Sequence, residues 1–352
     1  MKKYILIITC LFLNTTYSQV LYDENFDSFT LGNLGTDPDG IIPGQDGWLT
    51  ECLYVPASKD NSRFTITAEP GRGKVLTLSS APPPQQNSMA FNAKKTGLNA
   101  LVDQRASGNN VIKLEIDYYT GALHTGGTNN RFAITLTYDL NNMLISWDHK
   151  FETGDILGHY YNGTKMQSIR LDNDINMSDP LPPNTWVTFI AYLDYANKKI
   201  YYETPYFNKV AVGDFLNQST STNLIEDFKP SAISLHINTV NILNAQVVNK
   251  YDNIKIIALN AVPPHILSVN TVLAESFNLY PNPATNMVNI TNGENHLVNQ
   301  VVIYDVTGKQ LSTQIFNNEA EIQLNVGNLT SGVYMLHIQT NAGTAVKKLV
   351  KK

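Results

Sequence analysis

The end of the chain alternates between apolar and polar residues in a way that predicts short β-strands. Apolar side chains recur at every second position around residues 286–290 and 322–326, whereas residues 300–306 and 333–338 are apolar on both faces. Asn-Gly and Ser-Gly pairs lie between these runs and are typical of tight turns. The pattern therefore predicts a small antiparallel Ig-like sandwich of roughly 75 residues.

Between residues 20 and 262 no stretch keeps the period of an amphipathic helix, and many strand candidates are apolar on both faces. Clusters of Gly, Asn, Asp or Pro separate these candidates. They are residues 64–68, 75–78, 111–119, 131–138, 143–151, 186–193, 199–203, 232–238 and 253–259. About ten or more short strands in ~240 residues predict an all-β, two-sheet jelly roll.

The first residues have the pattern of a secretory signal peptide. Lys2 and Lys3 precede the apolar run Tyr4–Leu13, which is too short to span a bilayer, and Ser18 supplies a small residue for cleavage. Two prolines after Val262 stop the last strand of the body and stiffen a linker. We therefore expect four segments: a signal peptide over 1–18, a body over 19–262, a linker over 263–272 and a C-terminal domain over 273–352.

Composition narrows the range of partners. The formal net charge is −5, the predicted signal peptide carries lysines but no acid, and acids balance lysines in the C-terminal domain, so the excess of acid lies in the body. An acidic body argues against nucleic acid as a partner. No later stretch is apolar enough to form a transmembrane segment. Cys52 is the single cysteine after the signal peptide, which excludes an intramolecular disulfide and a cysteine-based zinc site.

Several motifs in the C-terminal domain keep their order and spacing. They are Leu279-Tyr280-Pro281-Asn282-Pro283-Ala284, Val302-Ile303-Tyr304-Asp305 with Gly308-Lys309, Leu329 with Ser331-Gly332-Val333-Tyr334, and a lysine-rich final strand. This arrangement resembles the type A C-terminal sorting domain of the Bacteroidetes type IX secretion system. The resemblance implies export across the outer membrane to the cell surface or beyond, with the type IX translocon and its outer-membrane shuttle protein as partners. It places the sorting signal at Pro281, Asn282, Pro283, Gly308, Gly332, Tyr334, Lys347 and Lys348.

Three short motifs mark the body. They are the opening Glu24-Asn25-Phe26-Asp27, a Trp-strand, turn and Tyr-strand hairpin over residues 185–203, and a closing strand that begins at Tyr251. Together they resemble concanavalin A-like (LamG-type) jelly rolls. Such domains often hold a structural Ca²⁺ with acids of the first and last strands, so the resemblance implies Glu24, Asp27 and Asp252 as ligands. The alternative is that Asp252 only hydrogen-bonds a turn.

Glu115 and Asp117 are expected on one side of a strand, as in laminarinase-like retaining glycosidases. Those enzymes need two carboxyl groups about 5 Å apart, one as nucleophile and one as acid/base. The resemblance places the second glutamate where this chain has Tyr119. We therefore expect no glycosidase activity, and expect both carboxylates to decorate the outer face of the strand.

Sugar recognition commonly combines aromatic rings with amide or carboxylate side chains. Both occur between residues 147 and 163, which makes Trp147, Tyr160, Tyr161 and Asn162 the candidates for glycan binding. The alternative is that Trp147 belongs to the core and the tyrosines cover a sheet edge. Trp186 is assigned to the core, because both faces of its strand are apolar, and Asn197 is placed to take a left-handed conformation in the turn that follows.

The sequence thus favours an exported cargo protein whose body binds glycan or adheres to surfaces without catalysis. Two alternatives stay open. One is a polysaccharide hydrolase or lyase on the same fold, and the other is a structural surface protein with no small ligand. Substitution of Glu115 and Asp117 separates the first alternative from a lectin, because only a hydrolase would lose turnover.

Overall fold

The computed structural model describes most of the chain after the predicted signal peptide. The described residues are 18–53, 59–81, 89–122, 130–139, 142–171, 180–207, 209–239, 246–267, 274, 276–293, 296–306, 309–340 and 343–352. The predicted signal peptide up to residue 17, the second half of the predicted linker and Gly308 of the predicted sorting signal lie outside these residues.

The body is built almost entirely from β-strands. Its strands are β1 (Ser18–Glu24), β2 (Gly32–Asn33), β3 (Trp48–Leu53), β4 (Phe64–Glu69), β5 (Gly73–Ser79), β6 (Met89–Thr96), β7 (Val111–Tyr119), β8 (Arg131–Thr137), β9 (Met143–Lys150), β10 (Ile156–Tyr161), β11 (Met166–Arg170), β12 (Trp186–Asp194), β13 (Lys199–Thr204), β14 (Lys209–Asp214), β15 (Ala232–Thr239) and β16 (Val248–Leu259).

The helices of the described chain are short. They are α1 (Leu98–Val102), α2 (Leu224–Asp227), α3 (Pro264–Leu267) and the 3₁₀ turns Gln45–Gly47, Asn61–Arg63 and Pro205–Phe207. Among the described residues, none of these helices has the length and apolar character that crossing a membrane requires.

The strands of the body pair into two antiparallel sheets. The nine-stranded sheet has the order β14-β13-β12-β7-β16-β5-β4-β2, with β1 also paired to β16, and the seven-stranded sheet has the order β11-β10-β9-β8-β15-β6-β3. Neighbours in these orders are often distant in sequence, as expected for a jelly roll. The prediction of a jelly-roll β-sandwich is therefore confirmed.

The inner faces of the two sheets form one hydrophobic core. Tyr118 of β7 stacks on Phe132 of β8 with ring centroids 3.8 Å apart, which joins the two sheets at the centre. Trp48 and Trp147 are fully buried in the same core. Large buried rings of this kind contribute much of the stability of a sandwich that has no disulfide.

The hairpin of β12 and β13 has the predicted strands but a different turn residue. Asp194 closes the turn, because its carboxylate accepts hydrogen bonds from the backbone N–H of Asn197 at 2.9 Å and from its amide at 2.7 Å. The left-handed backbone falls on Lys198, with φ of 55°, so the prediction for Asn197 is wrong. Asn197 is held in place by Asp194, and the chain therefore reverses one residue later.

The C-terminal domain is a smaller sandwich with a core of its own. Its strands are β17 (Phe277–Tyr280), β18 (Met287–Asn292), β19 (Val298–Asp305), β20 (Gln310–Glu319), β21 (Ile322–Asn325), β22 (Gly332–Thr340) and β23 (Gly343–Lys351). One sheet has the order β17-β18-β21 and the other β20-β19-β22-β23. The apolar residues between them form a cluster separate from the core of the body. The predicted small sandwich is confirmed.

Candidate functional site

The outer face of the seven-stranded sheet carries polar side chains, half of which are buried, whereas Arg131 and Ser168 are exposed. On β8, Phe132 and Ile134 point into the core, so the alternating residues between and after them point outward. The strand register brings the outward residues of neighbouring strands side by side. We call this surface the polar face; its members are Glu51, Asn92, Arg131, Thr135, Ser146, Asp148, His159, Ser168, Ser234 and His236.

Hydrogen bonds link the polar face from strand to strand. The Thr135 hydroxyl lies 3.2 Å from His236 Nε2 and donates to Ser146 Oγ at 3.2 Å. Ser146 in turn donates to Asp148 Oδ1 at 2.9 Å. These side chains are short, so they do not project far from the sheet. Buried polar groups that are linked by hydrogen bonds hold fixed positions.

Asp148 is the charged centre of the polar face. Arg131 Nε lies 3.4 Å and His159 Nε2 lies 3.5 Å from Asp148 Oδ2. Burial works to raise the pKa of the Asp148 carboxyl, but the hydrogen bond and charge of His159, the charge of Arg131 and the Ser146 hydroxyl outweigh it, so that the pKa lies below its usual value. Asp148 is therefore ionised at neutral pH.

His236 is a neutral member of the same face. Burial is the main cause that lowers the pKa of its imidazole to about 4, and the nearby Asp148 only partly offsets this effect. At neutral pH the ring therefore carries one N–H donor and one acceptor, which suits hydrogen bonding to a hydroxyl group.

Asn92 leaves an acceptor unused. Its amide donates to Glu51 Oε2 at 2.8 Å, while its Oδ1 atom is buried and has no hydrogen-bond partner among the described residues. A buried acceptor without a donor costs free energy. The sequence analysis did not identify Asn92, His236 and Asp148 as candidate site residues. The alternation of polar and apolar residues on β6, β9 and β15 was the signal that could have placed them on one outer face.

The predicted glycan-binding residues do not share a surface. Trp147 is fully buried between the sheets, so the prediction that it stacks on a sugar is wrong and the core alternative holds. Tyr160 lies against Gly213 of β14, where an added Cβ would come within 2.5 Å of its ring. Tyr161 stacks on Tyr138 with centroids 5.8 Å apart.

Asn162 has a local role in the turn between β10 and β11. Its Oδ1 accepts hydrogen bonds from the backbone N–H groups of Thr164 and Lys165, each at 3.0 Å. Side chains that bond their own turn in this way stabilise it. Asn162 therefore shapes the edge of the sheet next to the polar face.

Glu115, Asp117 and Tyr119 lie on the outer face of the nine-stranded sheet, on the opposite side of the body. Asp117 accepts hydrogen bonds from Arg72 at 2.8 Å and from Thr188 at 2.6 Å. The Glu115 carboxylate binds the Lys113 ammonium at 2.5 Å. The two carboxylates lie on the outer face of the strand, as predicted. Both also form ion pairs, which the sequence did not predict.

Trp186 departs from its predicted place in the core. It is only half-buried, and the Arg72 guanidinium lies 4.0 Å from the centroid of its ring. Its strand, β12, is apolar on both sides because the outer face also carries Ile190 and Tyr192, which belong to a small separate cluster. An apolar pattern on both faces therefore did not identify the inner face.

The three residues predicted to bind calcium have separate partners. Glu24 accepts a hydrogen bond from the Phe26 N–H at 2.7 Å, and Asp27 accepts one from the Lys74 N–H at 2.9 Å. Asp252 is paired with the Arg72 guanidinium at 3.2 Å. In the part of the chain that the structure describes, no three His, Cys, Asp or Glu residues are close enough to hold a metal. These three carboxylates do not fit one site, and calcium binding stays a prediction without an assigned ligand set.

Asp252 should give the body a measurable pH dependence. Burial raises the pKa of its carboxyl to about 6; Arg72 and the N–H of Asn253 oppose this shift, and Asp117 adds to it. The folded-state pKa is above the ordinary value of 3.8, so its contribution to stability is full below about pH 4 and is lost as pH rises through 6. Asparagine does not ionise, so Asp252→Asn should avoid this loss. We expect its unfolding free energy, relative to that of wild type, to be about 1–3 kcal/mol more favourable at pH 7.5 than at pH 4.

Urea unfolding at both pH values measures this difference. Asp214→Asn is the matched control, because the Asp214 side chain is 58% exposed and pairs with Lys199 at an edge strand. The unfolding free energy of Asp214→Asn should stay close to that of wild type at both pH values, since exposed ion pairs contribute little to stability. If the difference in unfolding free energy between wild type and Asp252→Asn is the same at both pH values, the raised pKa of Asp252 is contradicted.

The predicted sorting residues at the start of the C-terminal domain contact its last strand. The peptide bonds before Pro281 and Pro283 are cis. The Asn282 side chain donates to the Lys348 carbonyl at 2.9 Å and accepts from the Val350 N–H at 2.8 Å. The opening motif and the lysine-rich strand are thus parts of one surface.

The remaining predicted sorting residues stabilise the same domain. Gly332 begins β22, and the Tyr334 hydroxyl donates to the Thr330 carbonyl at 2.7 Å. The Lys347 ammonium donates to the Ala274 carbonyl at 3.1 Å. Which of these side chains the export machinery reads stays a prediction.

The fold and the site define an all-β protein whose sandwich body bears a polar face on one sheet and precedes a small sandwich domain. Residues 278–352 match the family model described as "Secretion system C-terminal sorting domain". This match indicates export by the type IX secretion system to the cell surface or the extracellular space. No curated protein matches the chain.

Solved structures similar to the body share little sequence with it. An endo-1,3-beta-glucanase from Streptomyces sioyaensis is 9% identical, with a TM-score of 0.43 over 68% of this chain and 96% of that one. The CBM2 module of the evolved Dit of Lactobacillus casei BL23 phage J-1 is 11% identical, with a TM-score of 0.38 over 70% and 99%. The Emp47p carbohydrate recognition domain is 10% identical, with a TM-score of 0.35 over 65% and 94%.

Proposed function

We propose that the body binds a polysaccharide across the polar face of the seven-stranded sheet. The observation that supports this most is the row of buried, hydrogen-bonded polar side chains on a surface that a sandwich does not need for its core. Burying polar groups costs free energy unless they are paired, and a few precisely placed polar groups are what orients a bound ligand. A protein exported to the cell surface also meets polysaccharides there.

The chemistry of the polar face suits hydroxyl groups. Glu51 and Asp148 supply carboxylate acceptors, and His236 supplies a neutral ring. The Asn92 amide holds the Glu51 carboxylate in place. Sugars present donors and acceptors at every ring position, and amide and carboxylate side chains are suited to bind them.

The size of the polar face suits a chain of sugars. Seven strands spaced about 4.8 Å apart span roughly 30 Å, which is room for several sugar units. Small side chains along the middle, such as Thr135 and Ser146, let a ligand approach the sheet closely. A polymer laid across the strands would contact residues from β3 to β11.

Cleavage of glycosidic bonds by Glu115 and Asp117 is not part of the proposal. Arg72 and Thr188 hold Asp117, and Lys113 holds Glu115. The two carboxylates also lie on the sheet opposite the polar face, and the position that needs a second glutamate is Tyr119. Substituting them should therefore leave polysaccharide affinity unchanged.

The proposal predicts a loss of affinity on substitution of Asn92. We expect Asn92→Ala to weaken polysaccharide binding by about tenfold, because the variant loses the hydrogen bond that positions the Glu51 carboxylate, and one such bond is worth about 1–1.5 kcal/mol. The full mature chain would be tested against a panel of soluble neutral and acidic polysaccharides by affinity electrophoresis, followed by calorimetry on those that bind.

Glu115→Gln is the matched control on the opposite sheet, and its affinity should stay within about twofold of wild type. Circular dichroism would confirm that both variants are folded. If no polysaccharide binds, or if both variants lose affinity alike, the proposal fails and a structural role without a small ligand is favoured.

A further inference from the structure

Three side chains at one end of the polar face are arranged as a nucleophile, a base and an orienting acid. The Ser168 hydroxyl on β11 lies 2.8 Å from His159 Nδ1 on β10. His159 Nε2 lies 3.5 Å from Asp148 Oδ2 on β9. Ser168 is exposed, whereas only 20% of the His159 side chain and 10% of the Asp148 side chain are accessible. A reagent in solution can therefore reach the serine, while the two groups behind it are shielded.

The strand register explains why Ser168 and His159 meet. The Leu171 N–H donates to the Ile156 carbonyl, so these two opposite residues form a hydrogen-bonded pair. Along an antiparallel ladder, hydrogen-bonded and non-hydrogen-bonded pairs alternate. Ser168 and His159 belong to the other set, in which opposite side chains lie closest. The Tyr202 hydroxyl from the opposite sheet donates to the His159 carbonyl and fixes the backbone at this point.

The hydrogen-bond partners also assign the protons. Asp148 is ionised and accepts only, so Nε2 of His159 carries the proton that faces it. Nδ1 is then free to accept the proton of the Ser168 hydroxyl. A base that is hydrogen-bonded to the nucleophile and oriented by a third group is the arrangement that activates serine in acyl transfer.

The edge of the sheet offers a donor for the negative charge that acyl transfer develops. β11 ends the strand order of its sheet. Because Ser168 belongs to a non-hydrogen-bonded pair, its backbone N–H points away from β10, and no described strand pairs with it on that side. This N–H lies beside the nucleophile, where it can donate to an oxyanion.

We propose that Ser168, His159 and Asp148 hydrolyse acyl esters on the polysaccharide bound to the polar face. This inference rests on the proposed function for its substrate, an O-acylated glycan. Ser168 and His159 are its catalytic residues, and Asp148 is a positioning residue.

The reaction uses only the ester and water. Ser168 Oγ attacks the acyl carbon as its proton passes to His159 Nδ1, and the C–O bond to the sugar breaks while the sugar oxygen takes that proton. His159 then deprotonates a water molecule, which attacks the acyl-serine. The carboxylic acid is released, and the serine recovers its proton.

Acid release from acetylated xylan and turnover of 4-nitrophenyl acetate by the full mature chain test the inference. We expect Ser168→Ala and His159→Ala each to lower turnover by about 10²–10⁴-fold. A fluorophosphonate probe should label wild type at Ser168 and leave Ser168→Ala unlabelled. Ser312→Ala, on β20 of the C-terminal domain, is the control and should keep wild-type turnover and labelling.

Asp148→Asn tests the positioning role separately. It should lower kcat and slow fluorophosphonate labelling, while KM for the small ester stays within about twofold, because the binding of that ester does not depend on the orientation of the base. A change in KM with unchanged kcat would show that Asp148 does not position the histidine.

The outcomes separate this inference from the proposed function. Binding of acetylated xylan without acid release or probe labelling would overturn the esterase inference and leave glycan binding intact. Equal turnover by wild type and Ser168→Ala would also overturn it. If no polysaccharide binds, the proposed function fails, and hydrolysis of the small ester still decides the chemistry of Ser168.

Discussion

A chain that ends at residue 272 is expected to stay inside the outer membrane instead of reaching the cell surface or the medium. The family match for sorting spans residues 278–352, and the truncation removes all of it. The core of the body contains no residue of the C-terminal domain, so the truncated body should still fold. Immunoblots of periplasm, surface and medium, in a host with a type IX system, would measure the change, which should be a near-complete loss of export.

Full-length Glu115→Gln is the control for this experiment, because it changes the body and leaves the C-terminal domain intact. Pulse labelling would follow newly made protein, so that degradation of the truncated chain is not mistaken for a failure of export. Resistance to protease in the periplasmic fraction would show that the body is folded. Finding the truncated chain in the medium at wild-type amounts would contradict the role of the C-terminal domain.

The C-terminal domain could be predicted closely because its signals are local. Strands such as β18 and β21 alternate strictly, and Gly-containing turns separate neighbouring strands in the chain. Hydrogen bonds from Asn282 to the last strand could not be foreseen, because they join residues more than 60 positions apart. Order and spacing of motifs nevertheless sufficed to indicate the domain.

The polar face could not be assembled from the sequence for a physical reason. Its members come from strands that are neighbours only in the folded sheet: Glu51 meets Asn92, and His236 meets Thr135 across 101 positions. Strand order in a jelly roll is set by long-range pairing, which local patterns do not encode. The sequence suggested a glycan site at the aromatic residues near residue 147, whereas the polar face of the folded protein consists mainly of short polar side chains.

The two tryptophans show how a pattern can mislead. Trp186 lies on a strand that reads as apolar on both faces, whereas the strand of Trp147 has Ser146 and Asp148 on its other face. Trp147 is buried in the core, while Trp186 lies under Arg72 on the outer face. On β12 the outer face is apolar because Ile190 and Tyr192 pack in a separate cluster. Which face is inner depends on what covers each sheet, and that is a property of the tertiary fold.

Trp147→Ala should destabilise the body strongly and Trp186→Ala much less. The Trp147 ring packs with Phe189 at 5.9 Å and with Tyr202 at 5.6 Å between ring centroids, and β10 offers it only Gly158 in the paired position. Removing a buried indole leaves a cavity that its neighbours cannot fill, at a cost of about 3–5 kcal/mol in unfolding free energy. Urea unfolding followed by far-ultraviolet circular dichroism measures the loss.

Trp147→Phe tests the core role directly, because it keeps an aromatic ring and removes only the indole N–H and part of the ring volume. That N–H has no hydrogen-bond partner among the described residues. A core role predicts that phenylalanine recovers much of the stability lost in the alanine variant. A sugar-stacking role predicts instead that the alanine variant stays stable and loses polysaccharide affinity. Equal costs for Trp147→Ala and Trp186→Ala would contradict the core assignment, since the Trp186 ring is half-exposed and its contact with Arg72 is worth only about 0.5–1 kcal/mol.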